Sequence, residues 1–555
     1  MGVFESAAAR NERARQATAG LPMLNRAEHV ARLESDTFDV LIIGGGATGA
    51  YSAFDAALRG YRVALVEKGD FASGTSSKSS KMIHGGIRYI QQGNLPLVRH
   101  SLLERQRLRR NAPHLVQRLP FIFPVMSADG VFDRRLEHGF SALLRTYDFA
   151  GGWREGILHR ALTRDEVLSH VPTLNPEQLL RGFMYFDARA DDARLTFAIA
   201  RSAAAHGAAI ANYAEATAIT RKQGLANGAV IHVDGREITV RAKVVVMATG
   251  SWLRDWNGAA PDADAPTIRP AKGVHIAVPW TKIGNDSTVT VRIPGAGRAA
   301  TVTRWGDSVL IGTSDTDYPG SLDRVLCSAP ERDILLDTVA QAFDTDLSAE
   351  DVTGSIAGTR PLVSRGKTDR TSEVPRNHEI RIDDDGLVTV VGGKLTTARH
   401  MAEQVVNAAQ RVLSRRSRCR TARAPLWGGA GYDATAALAS GGTAAHLAER
   451  FGTEARFITE LLTQQPTTRA PVVDGLPYVY AEVVHAVRHE MAITIDDVLA
   501  RRTRSRLFAR EASAAAADRV ASLMAAELGW TEEQRSAHVS DYRNSVVEER
   551  DHLNS

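Results

Sequence analysis

Three glycines in the order Gly44-x-Gly46-x-x-Gly49 stand between an apolar run and an alanine-rich stretch. Glycines at this spacing suit the binding of a pyrophosphate. Gly44 permits a tight turn, Gly46 (with Gly45 before it) lets the backbone come close to the anion, and Gly49 lets a helix lie against a sheet. A helix beginning there would offer free N–H groups and a positive dipole end to the phosphates. Glu67 follows roughly 20 residues later, where an acid accepts hydrogen bonds from the ribose hydroxyls of a dinucleotide.

The glycines could instead only punctuate a turn. Against that, strand, glycines, helix, second strand and acid all agree, and context is what raises the motif above a bare match. The same features leave FAD and NAD both open, and three others favour FAD. Glu67 is followed by Lys68 and by the small polar stretch GDFASGTSSKSSK, in which Ser76 and Ser77 suit a cofactor lining. A second glycine-rich strand end at residues 391–396 supplies Gly393, Lys394, Leu395 and Thr396, a contact point for the far, isoalloxazine end of a long flavin. The ATG turn ending at Gly250 is a third, weaker sign.

These residues need elements to hold them. Residues 38–43 read as a buried parallel strand, 50–59 as a helix stopped by Gly60, and 62–66 as a second strand, completing a βαβ unit. AVIHVDGREITV reads as a hairpin turning at Asp234-Gly235 and running into the strand KVVVMATG. VLIGTSD and LVTVVGG supply further strands, the second leading into a helix. Beyond residue 420 the apolar period becomes helical in AAHLAERFG, EVVHAVRHEM and AADRVASLMAAEL. Residues 24–33 could form a short helix within an N-terminal extension of residues 1–35. The returning strands imply one sheet built from distant parts of the chain.

The bulk properties bound the reading. A chain of 555 residues exceeds what one core usually serves. Apolar residues make up 44% and charged residues 24%. No stretch approaches the ~18 uncharged apolar residues of a spanning helix, and the N-terminus lacks the apolar core of a secretory signal. Two cysteines, Cys327 and Cys419, fit a reducing compartment and show no metal-ligand spacing. The net charge of +4 comes with no nucleic-acid motif.

Residues 76–98, SSKSSKMIHGGIRYIQQGNLPLV, closely resemble the segment after the first βαβ unit of quinone-linked, FAD-dependent glycerol-3-phosphate dehydrogenases. So do APHLV, DDARL, KGVHIAVP, IGTSDTDY, GTRPL and GGKLTTAR, in family order over about residues 36–410, and HEMAITIDDVLARRTR in the tail. The resemblance implies an α/β fold: a Rossmann-like FAD-binding domain of the D-amino-acid-oxidase type, a mixed β-sheet substrate domain and an all-helical C-terminal domain. The FAD domain is expected over residues 36–110, 190–262 and 350–412, the substrate domain over 111–189 and 263–349, and the helical domain over 420–555. The implied reaction is oxidation of glycerol 3-phosphate to dihydroxyacetone phosphate, with electrons leaving for a membrane quinone; the alternatives are an oxygen-using glycerol-3-phosphate oxidase and a non-catalytic flavoprotein of the same fold. That places the enzyme in the cytoplasm, docked on the inner face of the cell membrane. The number of subunits stays open, a homodimer among the options.

The resemblance puts Arg88 and Arg360 in the substrate pocket, where planar guanidinium forks suit a phosphate dianion. Without it, a surface or structural salt bridge would be the better reading of either. Tyr89 would donate a hydroxyl. His84, four residues before Arg88, would share its side of a helical turn and take the C2 hydroxyl proton, or would only hydrogen-bond flavin or backbone. Lys394 would stabilise the reduced flavin or touch the substrate. Thr396 and Thr397 are caps or cofactor contacts. Lys272 and His275 are pocket-lining candidates, His275 being read as structural. Asp191, Asp192 and Asp315 are read as setting loop geometry. The arginine runs at residues 415–423 and 501–506 are charges for anionic lipid, or else a solvated linker and helix face.

Overall fold

The computed structural model describes residues 24–91, 94–126, 137–151, 153, 157–256, 267–293, 299–364 and 378–555. The apolar run TFDVLII forms strand Thr37–Ile43, buried from Val40 onward. It pairs in parallel with Val63–Val66 on one side and Arg236–Met247 on the other, in the register Ile43 to Val66 and Ile43 to Met247. The eight-stranded sheet continues through Ala209–Ala211 at one edge. At the other it runs through Val388–Gly392 and His378–Ile382. The expected hairpin is present: Leu225–Val233 pairs antiparallel with Arg236–Met247, and Asp234 and Gly235 both have positive φ.

Helix Ala47–Leu58 packs on this sheet between helices Asp192–Ala205 and Ala398–Leu413. Its run of small residues, with Ala50, Ala53 and Ala56 fully buried, lets the three helices approach closely. The opposite face of the sheet is covered by the hairpin strands and by helix Arg26–Ser35, whose Val30 and Leu33 reach the core. Each fully buried Val or Leu in such a core contributes about 1.5–3 kcal/mol.

A second, ten-stranded mixed sheet is built mainly from residues 117–126, 179–189 and 267–364. Strand Gly354–Ser364 belongs to it, paired along its length with Thr267–Pro279. The sequence placed residues 350–412 with the first sheet, and this strand departs from that division. Its neighbours lie about ninety residues upstream, beyond what local pattern can reveal.

The chain after residue 430 is helical. Its arginines 501–506 do not face outward. Arg501 pairs with Asp70, Asp496 and Asp497 at 2.6, 2.7 and 2.5 Å, Arg502 pairs with Asp70, and Arg506 pairs with Glu549 at 2.8 Å. This run is therefore removed as a lipid contact: it is the buried seam between the helical domain and the rest of the molecule. Arg416, Arg418, Arg420 and Arg423 of the other run are exposed. Among the described residues, no helix is long and apolar enough to cross a membrane.

Candidate functional site

The glycine turn is built as its spacing implies. Gly44 has φ of +113°, and a Cβ there would meet Ala248 O at 2.5 Å; one on Gly49 would meet Gly44 O at 1.9 Å. Gly46 caps the helix without a side chain, leaving its start open. Ser76 Oγ accepts from Ala47 N at 2.9 Å, so a hydroxyl already stands at that helix end. Glu67 accepts from Gly45 N at 2.6 Å and from Gly69 N at 2.9 Å. Burial raises its carboxyl above the usual range, opposed by these two bonds. Each of its oxygens keeps a lone pair for a ribose hydroxyl.

A cavity of about 510 Å³ runs from this turn to the strand end at residues 392–396. That lies within the ~300–1,000 Å³ of small-molecule sites. Gly44, Gly46, Glu67, Lys68 and Ser76 line one part, with Gly250, whose Cβ would project into open space. Gly393, Lys394, Leu395 and Thr396 line another. Thr249 Oγ1 is buried at the wall with no hydrogen-bond partner among the described residues. A glycine cradle, an open helix end, a buried acid and an unsatisfied hydroxyl fit a dinucleotide. Gly45 and Gly49 shape the turn without lining the cavity, and the Ser77 side chain is buried behind the wall.

His84, Tyr89 and Arg360 line the same cavity. Strand Met82–Ile83 carries His84 at its end, with His84 N donating to Thr396 Oγ1 at 3.3 Å. The expected helical turn from His84 to Arg88 is not formed. Gly86 breaks it with φ of +77°, and the helix begins only at Arg88. A Cβ on Gly86 would meet the Tyr89 ring at 2.4 Å. The Arg88 side chain lies outside the described residues. Lys394 Nζ sits 3.7 Å from the Tyr89 ring centroid, a cation–π contact. Arg360 donates to Thr313 Oγ1 at 2.9 Å and to Ser314 O at 3.2 Å, with Asp315 at 3.4 Å. Its guanidinium lies across Gly273, where a Cβ would come within 2.5 Å of it.

Lys272 is corrected. Side chains alternate along a strand, so with Gly273 facing Arg360, Lys272 faces away. Its ammonium pairs with Glu331 at 2.6 Å, outside the cavity lining. His275 Nε2 meets Ser80 Oγ at 3.0 Å; burial, then the charges of Arg360 and Lys81, push its imidazole down to about 3. His275 is buried and is not among the lining residues. Thr397 Oγ1 donates to Lys394 O at 3.3 Å and is not among the lining residues.

Some lining residues escaped the sequence reading. Trp252, just after the ATG turn, donates to Asp323 Oδ1 at 2.7 Å, and Lys68 donates to the same oxygen at 2.5 Å. Lys78, one of the serine-rich stretch, is pushed down to about 8 by burial and then by Arg501. Thr313 was visible only as part of IGTSD. The serine-rich run was the available signal for Lys78, whereas the pairing of residues 68, 252 and 323 carries none.

Comparison with known proteins matches this architecture. A family model described as FAD dependent oxidoreductase matches residues 39–450, and one described as the C-terminal domain of alpha-glycerophosphate oxidase matches residues 419–535. The glycerol-3-phosphate dehydrogenase of Mycobacterium leprae (strain TN) is 36% identical over 538 residues, covering 94% of this chain and 90% of its own. The mitochondrial glycerol-3-phosphate dehydrogenase of Homo sapiens is 32% identical over 558 residues, covering 95% of this chain and 76% of its own. The crystal structure of the glycerol-3-phosphate dehydrogenase from Bacillus halodurans complexed with FAD has a TM-score of 0.75 at 27% identity, covering 94% of this chain and 96% of that one. The chain thus belongs to the FAD dependent oxidoreductase family, with FAD as its cofactor and a C-terminal domain of the alpha-glycerophosphate oxidase kind.

Proposed function

We propose that this chain oxidises sn-glycerol 3-phosphate to dihydroxyacetone phosphate and passes the electrons to a membrane quinone. One observation carries the reading: Arg360 and Lys394 line the same cavity as Gly44, Gly46 and Glu67, so a dianionic substrate and a dinucleotide can share one space. Bound FAD supplies the acceptor for the hydride from C2. Arg360 binds the phosphate through its planar fork, already oriented by Thr313 and Ser314. Arg88 adds a second cation from the start of helix Arg88–Gln91, and the Tyr89 hydroxyl orients the substrate. His84 takes the C2 hydroxyl proton on its ring. Lys394, stacked on Tyr89, holds a positive charge where negative charge develops. The eight-stranded sheet holds the cofactor, the ten-stranded sheet presents the substrate residues, and the residues from 420 form the helical domain.

Anaerobic titration of the yellow protein with glycerol 3-phosphate should bleach the flavin band. An unchanged spectrum at saturating substrate would remove the reading. The match to an oxidase's C-terminal domain favours a second acceptor, oxygen. Peroxide release measured against reduction of a quinone analogue separates the two. Docking on the cytoplasmic face of the cell membrane would use Arg416, Arg418, Arg420 and Arg423, at about 1 kcal/mol per charge near anionic lipid. Failure to bind anionic liposomes at low salt would discard that surface.

A further inference from the structure

We propose that Arg504 of the helical domain is a positioning residue for the cofactor, holding from behind the serine loop that lines the cavity. The loop is residues 76–80. Ser76, Ser79 and Ser80 line the cavity, and Ser76 Oγ also meets the start of the glycine-turn helix. The back of the loop is held by charge. Arg504 Nη1 donates to Ser77 O at 3.2 Å, and Lys81 Nζ donates to the same oxygen at 3.2 Å. Two cations from different parts of the chain converge on one carbonyl. Asp192 Oδ2 accepts from Ser79 N at 2.9 Å and from Ser79 Oγ at 2.7 Å, while its other oxygen accepts from Lys81 at 2.8 Å and from Arg504. Arg504 also bonds Asp191 at 2.8 Å.

Two backbone features converge on this side chain. Arg504 is 2% exposed and has φ of +66°, a left-handed conformation that a long side chain keeps only where its surroundings enforce it. It follows the π-helical turn Asp497–Arg502, a rare element that recurs at functional sites. The fork of Arg504 spans two carboxylates and a carbonyl at once. A lysine keeps the charge but not that geometry. The helical domain thus reaches the cavity wall without lining the cavity, through Asp192 and Ser77.

The test compares Arg504→Lys with Arg194→Lys. Arg194 is buried in the same seam, its side chain on Glu490 at 2.5 Å and not on the loop. FAD affinity is read by flavin fluorescence on reconstitution of the apoprotein, with no substrate present, so the result is independent of the proposed reaction. Arg504→Lys should weaken FAD binding about 10-fold or more, as loss of an outer-shell support does, and should shift the flavin absorption band. Arg194→Lys should lower Tm while FAD affinity stays within about twofold. A folded Arg504→Lys with wild-type FAD affinity overturns the proposal, and so does equal weakening in both variants. If Arg504→Lys does not fold, Arg504→Gln combined with Asp191→Asn removes the fork with its charge balanced, and the same loss of affinity is expected.

Discussion

The cavity and the seam beneath it treat buried charge in opposite ways. In the cavity, Arg360 leans on a threonine hydroxyl and a backbone carbonyl, with its carboxylate partner at 3.4 Å, and Lys394 leans on an aromatic ring. In the seam, Arg501 holds three carboxylates and Arg504 two. Burying a cation is costly unless it is paired. The seam meets that cost within the chain. In the cavity a hydroxyl and a carbonyl share Arg360 with the Asp315 carboxylate. The arginine proposed to bind substrate and those that join the domains differ in their neighbours, not in residue type.

The comparison is tested most severely at His84. His84→Ala should lower kcat by about 10²–10⁴-fold with flavin still bound, and near wild-type turnover across pH 6–9 would end its role as base. Arg360→Lys should cost about 10²–10³-fold in kcat/KM for glycerol 3-phosphate with little change in Tm. A Tm loss as large as that of a seam variant would erase the contrast drawn above.

In the seam, Glu490→Gln should act on stability and not on the chemistry. Burial opposes ionisation of Glu490, but Arg194, His485, Arg201 and Arg502 overcome it and hold its carboxyl down to about 2, against an ordinary 4.5. A depressed carboxyl stabilises the fold above its unfolded value, and that contribution is lost as pH falls through the folded one. The Tm gap between wild type and Glu490→Gln should therefore be full above about pH 5 and shrink toward pH 2. A gap that widened on acidification would refute the assignment. The smallest effect is expected at the cavity edge. The Asp323 side chain is 64% exposed where it meets Lys68 and Trp252. Exposed pairs are worth about 0.2–1 kcal/mol, so Asp323→Asn should speed FAD release only about two- to fivefold, measured by flavin fluorescence after dilution.

What the sequence made legible was local. The glycine turn, Glu67, the Asp234-Gly235 hairpin and the helical tail each rest on neighbours within one or two elements. Lys272 was misjudged because its face depends on which strand lies beside it, and strand Gly354–Ser364 is far away in sequence. The arginines at 501–506 looked solvated for the same reason: Asp70, Asp191 and Asp192 come from more than three hundred residues upstream. The His84–Arg88 spacing suggested a shared helical face until Gly86 interrupted it.

The strand order of the first sheet bears on how the protein is made. Its central strand, Thr37–Ile43, pairs with Arg236–Met247, which in turn pairs with Val388–Gly392. On the ribosome, the phosphate cradle therefore emerges long before the strand whose end lines the far part of the cavity. A nascent chain can hold the diphosphate end early, but it cannot close around the whole cofactor until most of its length has been synthesised. Products truncated before that strand should accumulate colourless.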